Sequence, residues 1–322
     1  MRTEFNLIEK YFTRPTPQAD LGVGDDAALI SVAEGMQLVV STDMSVVGAH
    51  FFADAAPYDI GWKSLAVNVS DMAAMGAQPK WATLAIALPE VNETWLAEFS
   101  RGFFSCAGAF GVDLIGGDTT KGPLNISVTI MGEVPIGKAL KRSGAQLGDD
   151  IWVSSQLGSA ALVLAHLQNK LTLEDDVLET ADFKTIAHAL HRPAARVNLG
   201  LKLRDIATSC IDISDGLLAD LGHILKASNL GAVIDLEMIP CIDLLKSNFD
   251  NPQFQQFLLA GGDDYELCFT APPSQREAIN TISKLLNLPL NIIASTRLAI
   301  GLQATYKNTE IKLLKQGFDH FG

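Results

Sequence analysis

Carboxylates at the edges of apolar runs are the feature of this sequence that could do chemistry. In the stretch Leu114 to Thr120, an apolar run reaches two glycines, then an aspartate and two threonines. Gly116 and Gly117 would let the backbone approach a ligand closely or take a positive φ. Asp118 and the threonines offer only oxygen atoms, which suit a hard cation and the phosphate it carries. Taken alone, this stretch is better explained as a tight turn capped by Asp118.

The same arrangement recurs at four other places: Gly24-Asp25-Asp26, Ser41-Thr42-Asp43, Asp212-Ile213-Ser214-Asp215-Gly216 and Gly261-Gly262-Asp263-Asp264. Six aspartates become the candidate ligands: Asp26, Asp43, Asp71, Asp118, Asp212 and Asp215. Zinc prefers His or Cys among its ligands, whereas an all-oxygen set is typical of Mg²⁺ shared with phosphates. The sequence therefore predicts a magnesium-dependent enzyme that acts on phosphorylated substrates.

Strand ends and turns must position these acids in the first half of the chain. The apolar run Leu38 to Val40 predicts a strand that ends directly in Ser41-Thr42-Asp43, and short polar residues at a strand end commonly meet ligands. Asn92 predicts the N-cap of a helix that ends at Gly111. The strand after this helix should end in the glycine turn that delivers Asp118.

A further helix is predicted from Pro57 to Met75, with Gly76 just beyond its C-terminus. Ser64, Asn68 and Asp71 share one face of this helix, because they are spaced by four and three residues. An aspartate on a largely apolar helix is costly to bury unless it is paired or binds a metal. Asp71 is therefore either a metal ligand or a carboxylate that faces water at the helix end.

The second half repeats the order of strand, acidic turn and helix. Ile211 to Ile213 should end a strand, and Ser214-Asp215-Gly216 should turn into a helix from Leu217 to Ser228. A helix N-terminus beside acids and a hydroxyl predicts an anion or metal-phosphate site. Gly261-Gly262 then breaks a helix and precedes Asp263.

Other catalytic and binding motifs are missing one or more required residues. Gly132 to Lys138 matches a P-loop, but Ala139 stands where the magnesium-binding Ser or Thr belongs. The turn that begins at Asp212 lacks the closing Glu of an EF-hand. No Ser-His-Asp arrangement stands out among the six histidines, and the four cysteines form no C-x-x-C pair.

The composition limits the partners of the chain. A net charge of −13 argues against nucleic acid, whose phosphates require a basic face, although Mg²⁺ could supply the charge that a phosphorylated ligand needs. No apolar run approaches about 18 residues, so we expect no membrane span. The first twelve residues carry Glu4 and Glu9 and lack a hydrophobic signal core, so we expect a cytoplasmic protein.

A length of 322 residues suggests two domains. The basic segment 137–147 marks the expected boundary, which gives domains of residues 1–137 and 138–322. Strand and helix patterns occur in both halves. We therefore expect an α+β fold in which each domain has a mixed sheet with packed helices.

Taken together, the motifs resemble those of the thiamine-monophosphate kinase family. That family belongs to a superfamily that includes aminoimidazole ribonucleotide synthetase and selenophosphate synthetase. The matching stretches span almost the whole chain in the expected order and are Gly22 to Ala28, Ser41 to Asp43, His50 to Phe52, Ala66 to Ala77, Leu114 to Thr120, Arg142 to Ala145, Ile211 to Gly216 and Gly261 to Leu267.

This resemblance implies an N-terminal domain that binds ATP and magnesium and forms a homodimer, and a C-terminal domain that completes the active site. It implies that ATP phosphorylates thiamine monophosphate to thiamine diphosphate by direct in-line transfer assisted by several Mg²⁺ ions. The family's metal ligands fall on Asp26, Ser41, Thr42, Asp43, Asp71, Asp118, Asp212 and Asp215. Its ATP contacts fall on Gly117, Asp118, Arg142 and Ser214, and its substrate contacts fall on His50, Asp263 and Phe318.

Two of the substrate positions depart from the family pattern. Asp263 replaces the usual Glu and keeps the charge with a shorter reach. Phe318 replaces the usual Tyr or Trp, so it keeps a face that can stack on a thiazolium or pyrimidine ring but loses the hydrogen-bonding edge.

The implied reaction needs no general base, and no side chain is assigned as catalytic. The nucleophile is a phosphate monoester, which is mostly dianionic at neutral pH because its second pKa is about 6. Metal ions and positioning must instead relieve the repulsion between two anions held in line. Two alternatives stay open: another ATP-using member of the superfamily that acts on a different small phosphorylated substrate, and an acidic binding protein without enzymatic activity.

Overall fold

The computed structural model describes residues 4–171, 173, 181–313 and 315–319. The chain divides into two compact units. The first unit comprises Met1–Met72 and Ala77–Ala139, and the second comprises Ala73–Gly76 and Leu140–Gly322.

The first unit is built on a four-stranded mixed sheet in the order β1-β4-β2-β3. Only the pair β2–β3 is parallel, while β4 runs antiparallel to both of its neighbours. The strands are β1 Met36–Val46, β2 Gln78–Leu88, β3 Asp113–Lys121 and β4 Asn125–Pro135. The helices are α1 Glu4–Leu7, which continues into a π-helical turn Ile8–Phe12, α2 Pro57–Ala74 and α3 Glu93–Phe110.

Alternation along the strands separates a covered face of this sheet from an open one. Ile126 and Val128 are buried on the covered face, where Asp71 of α2 also meets Ser41 of β1. On the other face of β1, Val40 and Met44 are 54% and 56% exposed. The first unit therefore has its core on one side of the sheet and an open, partly apolar face on the other.

The helix from Asn92 to Gly111 is confirmed together with both of its caps. The Asn92 side chain accepts a hydrogen bond from the Trp95 N–H at 3.0 Å. Gly111 adopts the left-handed conformation, with φ 68°, and donates its N–H to the Ala107 carbonyl. Local capping chemistry thus sets the length of α3.

Two expected strand ends are wrong. Ser41 to Asp43 lie inside β1, because β1 pairs with β4 from Met36 to Val46. Gly116 to Thr120 likewise lie inside β3, which pairs with β2 as far as Lys121. Gly117 is required by close strand packing, because a Cβ there would lie 1.8 Å from the Leu84 carbonyl oxygen. These two acidic stretches, 41–43 and 116–120, are thus parts of long strands. Pairing with neighbouring strands overrides the turn that their sequences predict.

The second unit contains a four-stranded antiparallel sheet in the order β6-β8-β5-β9 and a three-stranded sheet in the order β11-β10-β7. In the smaller sheet, β10 runs parallel to β7 and antiparallel to β11. The strands are β5 Asp150–Ser154, β6 Ser209–Asp212, β7 Gly231–Asp235, β8 Leu267–Ala271, β9 Leu290–Ser295, β10 Gly301–Tyr306 and β11 Thr309–Glu310. The helices are α4 Ser159–Leu167, α5 Ala181–His191, α6 Val197–Leu203, α7 Leu217–Ser228, α8 Asp243–Lys246, α9 Pro252–Ala260 and α10 Arg276–Leu286, with short 3-10 turns at Leu236–Met238 and Pro273–Gln275.

Helix α7 follows β6 through the turn 213–216, as the sequence predicts. Leu221 and Ile224 of this helix lie in one buried cluster with Ile151 and Val153 of β5. The expected α+β fold, with sheets and packed helices in each half, is confirmed. In the part of the chain that the structure describes, no helix is long and apolar enough to cross a membrane.

Candidate functional site

Asp71 and Asp43 are held on the covered face of the first sheet. The Ser41 hydroxyl donates to Asp71 Oδ2 at 2.5 Å, and the Asp43 N–H donates to Asn68 Oδ1 at 3.1 Å. The helix face predicted from Ser64, Asn68 and Asp71 therefore points toward β1, since its last two residues bond to that strand. Asp71 is half-buried and hydrogen-bonded to a strand side chain, so it does not simply face water at a helix end.

Thr42 and Asp118 point to the open face of the same sheet. The Thr42 and Thr129 hydroxyls are 2.8 Å apart across β1 and β4. Asp118 pairs in register with Ala85, and both residues are exposed. Because neighbouring residues of a strand point to opposite faces, Ser41 and Asp43 lie on the other side. The five metal-ligand candidates of this sheet and α2 are thus split between two faces.

Asp43 and Asp118 also lie at opposite edges of the sheet. Asp43 is in edge strand β1 and Asp118 is in edge strand β3, with β4 and β2 between them. Three strand spacings separate them by about 14 Å. One Mg²⁺ ion, with ligands at about 2.1 Å, cannot contact both side chains of the same chain.

His50 lies in a tight turn directly after β1. The Val46 N–H donates to His50 Nδ1 at 3.0 Å, while the His50 N–H donates to the Val46 carbonyl at 2.9 Å. An acceptor at Nδ1 requires the proton at Nε2 in the neutral ring. The turn therefore fixes the tautomer in which Nε2 is a hydrogen-bond donor.

Asp26 lies in a surface loop. Leu21 and Leu29 pair across the base of this loop. The Asp26 N–H donates to Asp25 Oδ1 at 3.0 Å, and Gly24 has a φ of 130° that favours glycine. Both carboxylates of this loop are exposed, so the loop presents two acids to solvent.

In the second unit, three successive backbone N–H groups of the acidic turn converge on one carboxylate. Those of Ser214, Asp215 and Gly216 donate to Asp220 Oδ2 at 3.0, 3.0 and 3.1 Å. These three N–H groups of the turn are therefore not available to an external anion, because the Asp220 carboxylate of the following helix already accepts them. Burial, followed by the nearby charge of Asp215, raises the pKa of Asp220 to about 6, while the three N–H groups oppose that rise.

The carbonyl groups of the same turn connect it to two other predicted site segments. The Asp263 N–H donates to the Ser214 carbonyl at 2.9 Å, and the Phe318 N–H donates to the Asp215 carbonyl at 3.0 Å. The second unit thus brings together four residues predicted for ATP, metal and substrate. Phe318 is 52% exposed, which argues against the alternative that its ring belongs to the core.

The segment around Asp263 is held in an unusual backbone conformation. Asp263 and Tyr265 have φ values of 69° and 50°, in the left-handed region. The Tyr265 hydroxyl donates to Asp263 Oδ1 at 3.1 Å. Between them, Asp264 accepts the Gly158 N–H at 2.9 Å, and burial raises the pKa of Asp264 well above its usual value although this N–H opposes the rise. The carboxylate of Asp263 therefore has a fixed orientation.

Arg142 lies in an exposed segment whose backbone is anchored on both sides. The Cys210 N–H donates to the Lys141 carbonyl at 2.8 Å. The Ser228 hydroxyl, at the end of α7, accepts the Ala145 N–H at 3.2 Å. The long side chain of Arg142 is thus carried by a fixed backbone.

The oxygen-rich donor set fits Mg²⁺ better than a structural metal. Among the described residues, no group of three or more His, Cys, Asp or Glu side chains forms a metal-binding cluster. Mg²⁺ is usually held by one or two carboxylates together with waters and substrate phosphates, and not by a complete protein cage. Dispersed acids and hydroxyls are the pattern expected for that kind of binding.

Sequence reasoning missed Asn68, Asp220 and Tyr265 as supports of this site. The sequence spacing places Asn68 on the correct helix face but predicts no partner for it, and Tyr265 contributes to the sequence pattern only as part of a motif. Asp220 could have been noticed as an acid in the first turn of α7, where negative charge is favoured. Its three partners could not be foreseen, because they depend on the path of the turn.

Models of known protein families match both halves of the chain. The family model described as AIR synthase related protein, N-terminal domain, matches residues 24–134, and the model for the C-terminal domain matches residues 146–297. The thiamine-monophosphate kinase of Escherichia coli (strain K12) is 45% identical over 322 residues, covering 99% of this chain and 98% of that protein.

Solved structures give the same result. A thiamine-monophosphate kinase from Stenotrophomonas maltophilia K279a superposes with a TM-score of 0.84 at 44% identity, covering 96% of each chain. AaThiL complexed with AMPPCP and TMP superposes with a TM-score of 0.77 at 27% identity, covering 100% of this chain and 99% of that one. The chain therefore belongs to the AIR synthase related family and, within it, to the thiamine-monophosphate kinases.

Proposed function

We propose that this chain transfers the γ-phosphoryl group of ATP to the phosphate of thiamine monophosphate and forms ADP and thiamine diphosphate. The observation that carries the proposal is the full-length similarity to thiamine-monophosphate kinases at 45% identity. The acidic, hydroxyl-rich segments described above supply the kind of groups that this reaction requires. AaThiL, a more distant relative, is known in complex with AMPPCP and TMP.

In the proposed reaction, the main task of the protein is to position the two substrates for transfer. A phosphate oxygen of thiamine monophosphate attacks the γ-phosphorus, the bond from that phosphorus to the β-phosphate oxygen breaks, and ADP leaves with the bonding electrons. The acids proposed below would hold Mg²⁺, which would supply positive charge against the repulsion between the two phosphate groups. The chain holds the two anions in line, and no side chain has to remove a proton from the attacking oxygen.

The proposed ligand contacts follow the resemblance to the thiamine-monophosphate kinases. For ATP we propose Gly117, Asp118, Arg142 and Ser214. For thiamine monophosphate we propose His50, whose Nε2–H is set as a donor, Asp263, which is oriented by Tyr265, and Phe318, which presents an exposed ring. For the magnesium ions we propose Asp26, Ser41, Thr42, Asp43, Asp71, Asp118, Asp212 and Asp215.

We also propose that the active form is a homodimer built on the first unit. The open face of its sheet exposes Val40 and Met44, an apolar surface that a second copy would cover. Asp43 and Asp118 lie on opposite edges of the sheet, too far apart to share an ion within one chain. If edge strand β1 of one copy lay beside β3 of the other, Asp43 of one copy and Asp118 of the other would be separated by one strand spacing instead of three.

Isothermal titration separates this proposal from its alternatives. Binding of ATP with Mg²⁺ that is strengthened by thiamine monophosphate, with heat of turnover when both are present, is the expected result. A superfamily member that uses another phosphorylated substrate would bind ATP and Mg²⁺ but ignore thiamine monophosphate. An acidic binding protein would take up Mg²⁺ without a turnover signal.

A further inference from the structure

We propose that Asp220 is a positioning residue that holds the turn Ser214–Gly216 in shape for its ligands. The inference rests on the proposed function, because that function gives Asp212, Ser214 and Asp215 their roles. Asp220 itself is 3% exposed and lies in the first turn of α7. It acts through the backbone of the turn and need not touch the ligands.

The first support is that the hydrogen bonds of the turn are complete. The three N–H groups of Ser214–Gly216 go to Asp220, and the Ile213 N–H goes to the Glu266 carbonyl at 2.8 Å. The Ile213 carbonyl accepts the Tyr265 N–H at 2.8 Å, and the Gly216 carbonyl accepts the Asp220 N–H at 3.0 Å. With the two carbonyls bonded to Asp263 and Phe318, the backbone of this turn is used internally, so ligands meet its side chains.

The second support is that only a small carboxylate suits the position of Asp220. A buried carboxylate is costly unless several donors compensate it, and three N–H groups at a helix N-terminus do so. A side-chain amide in its place would lose the charge that strengthens these bonds. Gly216 leaves no room to rearrange, because its φ is 125° and a Cβ there would lie 2.7 Å from the Ala260 carbonyl carbon.

The third support is that the turn connects the residues proposed for nucleotide and metal with those proposed for thiamine monophosphate. Its side chains Ser214 and Asp215 belong to the nucleotide and metal set, and its carbonyls hold the backbones of Asp263 and Phe318. A change at Asp220 should therefore weaken binding of ATP and of thiamine monophosphate together. A change at one ligand contact should affect mainly the ligand that it touches.

Asp149 offers a matched control in the same unit. It is 2% exposed, accepts the Gln146 N–H at 2.8 Å, and accepts the Thr208 hydroxyl at 2.6 Å. Like Asp220, it is a buried aspartate that satisfies backbone and side-chain donors. It makes no hydrogen bond to the turn Ser214–Gly216. Asp149→Asn therefore measures how much the loss of a buried, hydrogen-bonded carboxylate lowers the stability of the protein.

The first test is amide hydrogen exchange in the unmodified protein, without nucleotide and then with ATP and Mg²⁺. The proposal expects the Ser214, Asp215 and Gly216 amides to be protected before any ligand is added. Exchange of these amides at unprotected rates, with protection only after ATP and Mg²⁺ are added, would show that the donors serve the ligand and would overturn the proposal. This result does not depend on which substrate is phosphorylated.

The second test compares Asp220→Asn with Asp149→Asn in the full chain, after turnover of thiamine monophosphate by the unmodified protein has been measured. We expect Asp220→Asn to raise the KM values for ATP and for thiamine monophosphate about tenfold each, while Asp149→Asn lowers the melting temperature and leaves both KM values unchanged. Equal losses of melting temperature with unchanged KM values in both variants would reduce Asp220 to a structural role. If Asp220→Asn fails to fold, the hydrogen-exchange experiment on the unmodified protein still tests the proposal.

Discussion

Phe318 shows how a residue near the chain end can be fixed at its backbone and open at its ring. Its N–H is bonded to the Asp215 carbonyl, whereas its side chain is 52% exposed. A Cβ on the preceding Gly317 would lie 2.5 Å from the Cβ of Ala219, so this segment lies directly on the first turns of α7. The partial exposure of the ring is consistent with the proposed stacking on a flat ligand.

Phe318→Leu should raise the KM for thiamine monophosphate severalfold, because stacking on a partly cationic ring contributes about 0.5–2 kcal/mol. The KM for ATP and the melting temperature should stay nearly unchanged, since the ring is not in the core. Phe318→Tyr should be tolerated. Steady-state kinetics and thermal melts of both variants test this prediction. A lower melting temperature of Phe318→Leu with an unchanged KM for thiamine monophosphate would show that the ring belongs to the core.

Asp118→Asn should lower kcat/KM by about 100-fold or more at low Mg²⁺, because it removes the charge proposed to hold the metal while keeping the shape. Added Mg²⁺ should restore part of the activity. Asp113→Asn is the matched control: Asp113 is on the same strand and accepts the Gln18 N–H at 2.8 Å. Near-normal turnover of Asp118→Asn at low Mg²⁺ would contradict the metal assignment.

Among elements, α2 and α3 illustrate how closely two helices of the first unit pack. A Cβ on Gly102 of α3 would lie 1.9 Å from the Tyr58 carbonyl oxygen, and one on Gly61 of α2 would lie 2.1 Å from the Phe99 carbonyl oxygen. Both positions therefore require glycine for close backbone approach. This contact fixes the helix that carries Asn68 and Asp71.

Gly102→Ala should destabilise the protein by at least about 1–3 kcal/mol, because the added methyl group forces the two helices apart. Gly108→Ala on the same helix should be neutral or stabilising by about 0.5–1 kcal/mol, because a Cβ there meets no atom within 4 Å. Denaturant unfolding of the two variants measures the difference. Equal stabilities for both would mean that the helices do not cross at Gly102.

The elements also show what the sequence could and could not predict. The caps of α3 and the start of α7 follow from residues adjacent in sequence, so local rules were sufficient. The position of Ser41 to Asp43 inside a strand depends on pairing with β4, far along the chain. The partners of Asp220 depend on the path of a turn that is also held by two remote segments, so spacing could not reveal them.

At the scale of the whole molecule, both units carry part of the proposed ligand set. The metal candidates Asp43 and Asp118 lie on opposite edges of one sheet, and a surface with Val40 and Met44 lies open beside them. An exposed edge strand of eleven residues with apolar neighbours is a surface that proteins normally cover. A second copy of the chain would cover it.

Light scattering at micromolar concentration should give the mass of a homodimer, and Met44→Glu on the open face should shift it toward a monomer with lower activity. If the site is shared, mixing two inactive variants, Asp43→Asn and Asp118→Asn, should restore activity, because one site of each mixed dimer keeps both carboxylates. A fully active monomer would contradict the proposal that the active form is a homodimer. A mixture as inactive as its components would place both acids in the same chain's site.

The measurement that tests the central claim most directly is turnover of thiamine monophosphate against free thiamine, with ATP and Mg²⁺ in one assay. A phosphate acceptor is already ionised, whereas the alcohol of thiamine would need a base to remove its proton. We expect formation of thiamine diphosphate from thiamine monophosphate and negligible phosphorylation of thiamine. Comparable turnover of both acceptors, or of neither, would contradict it.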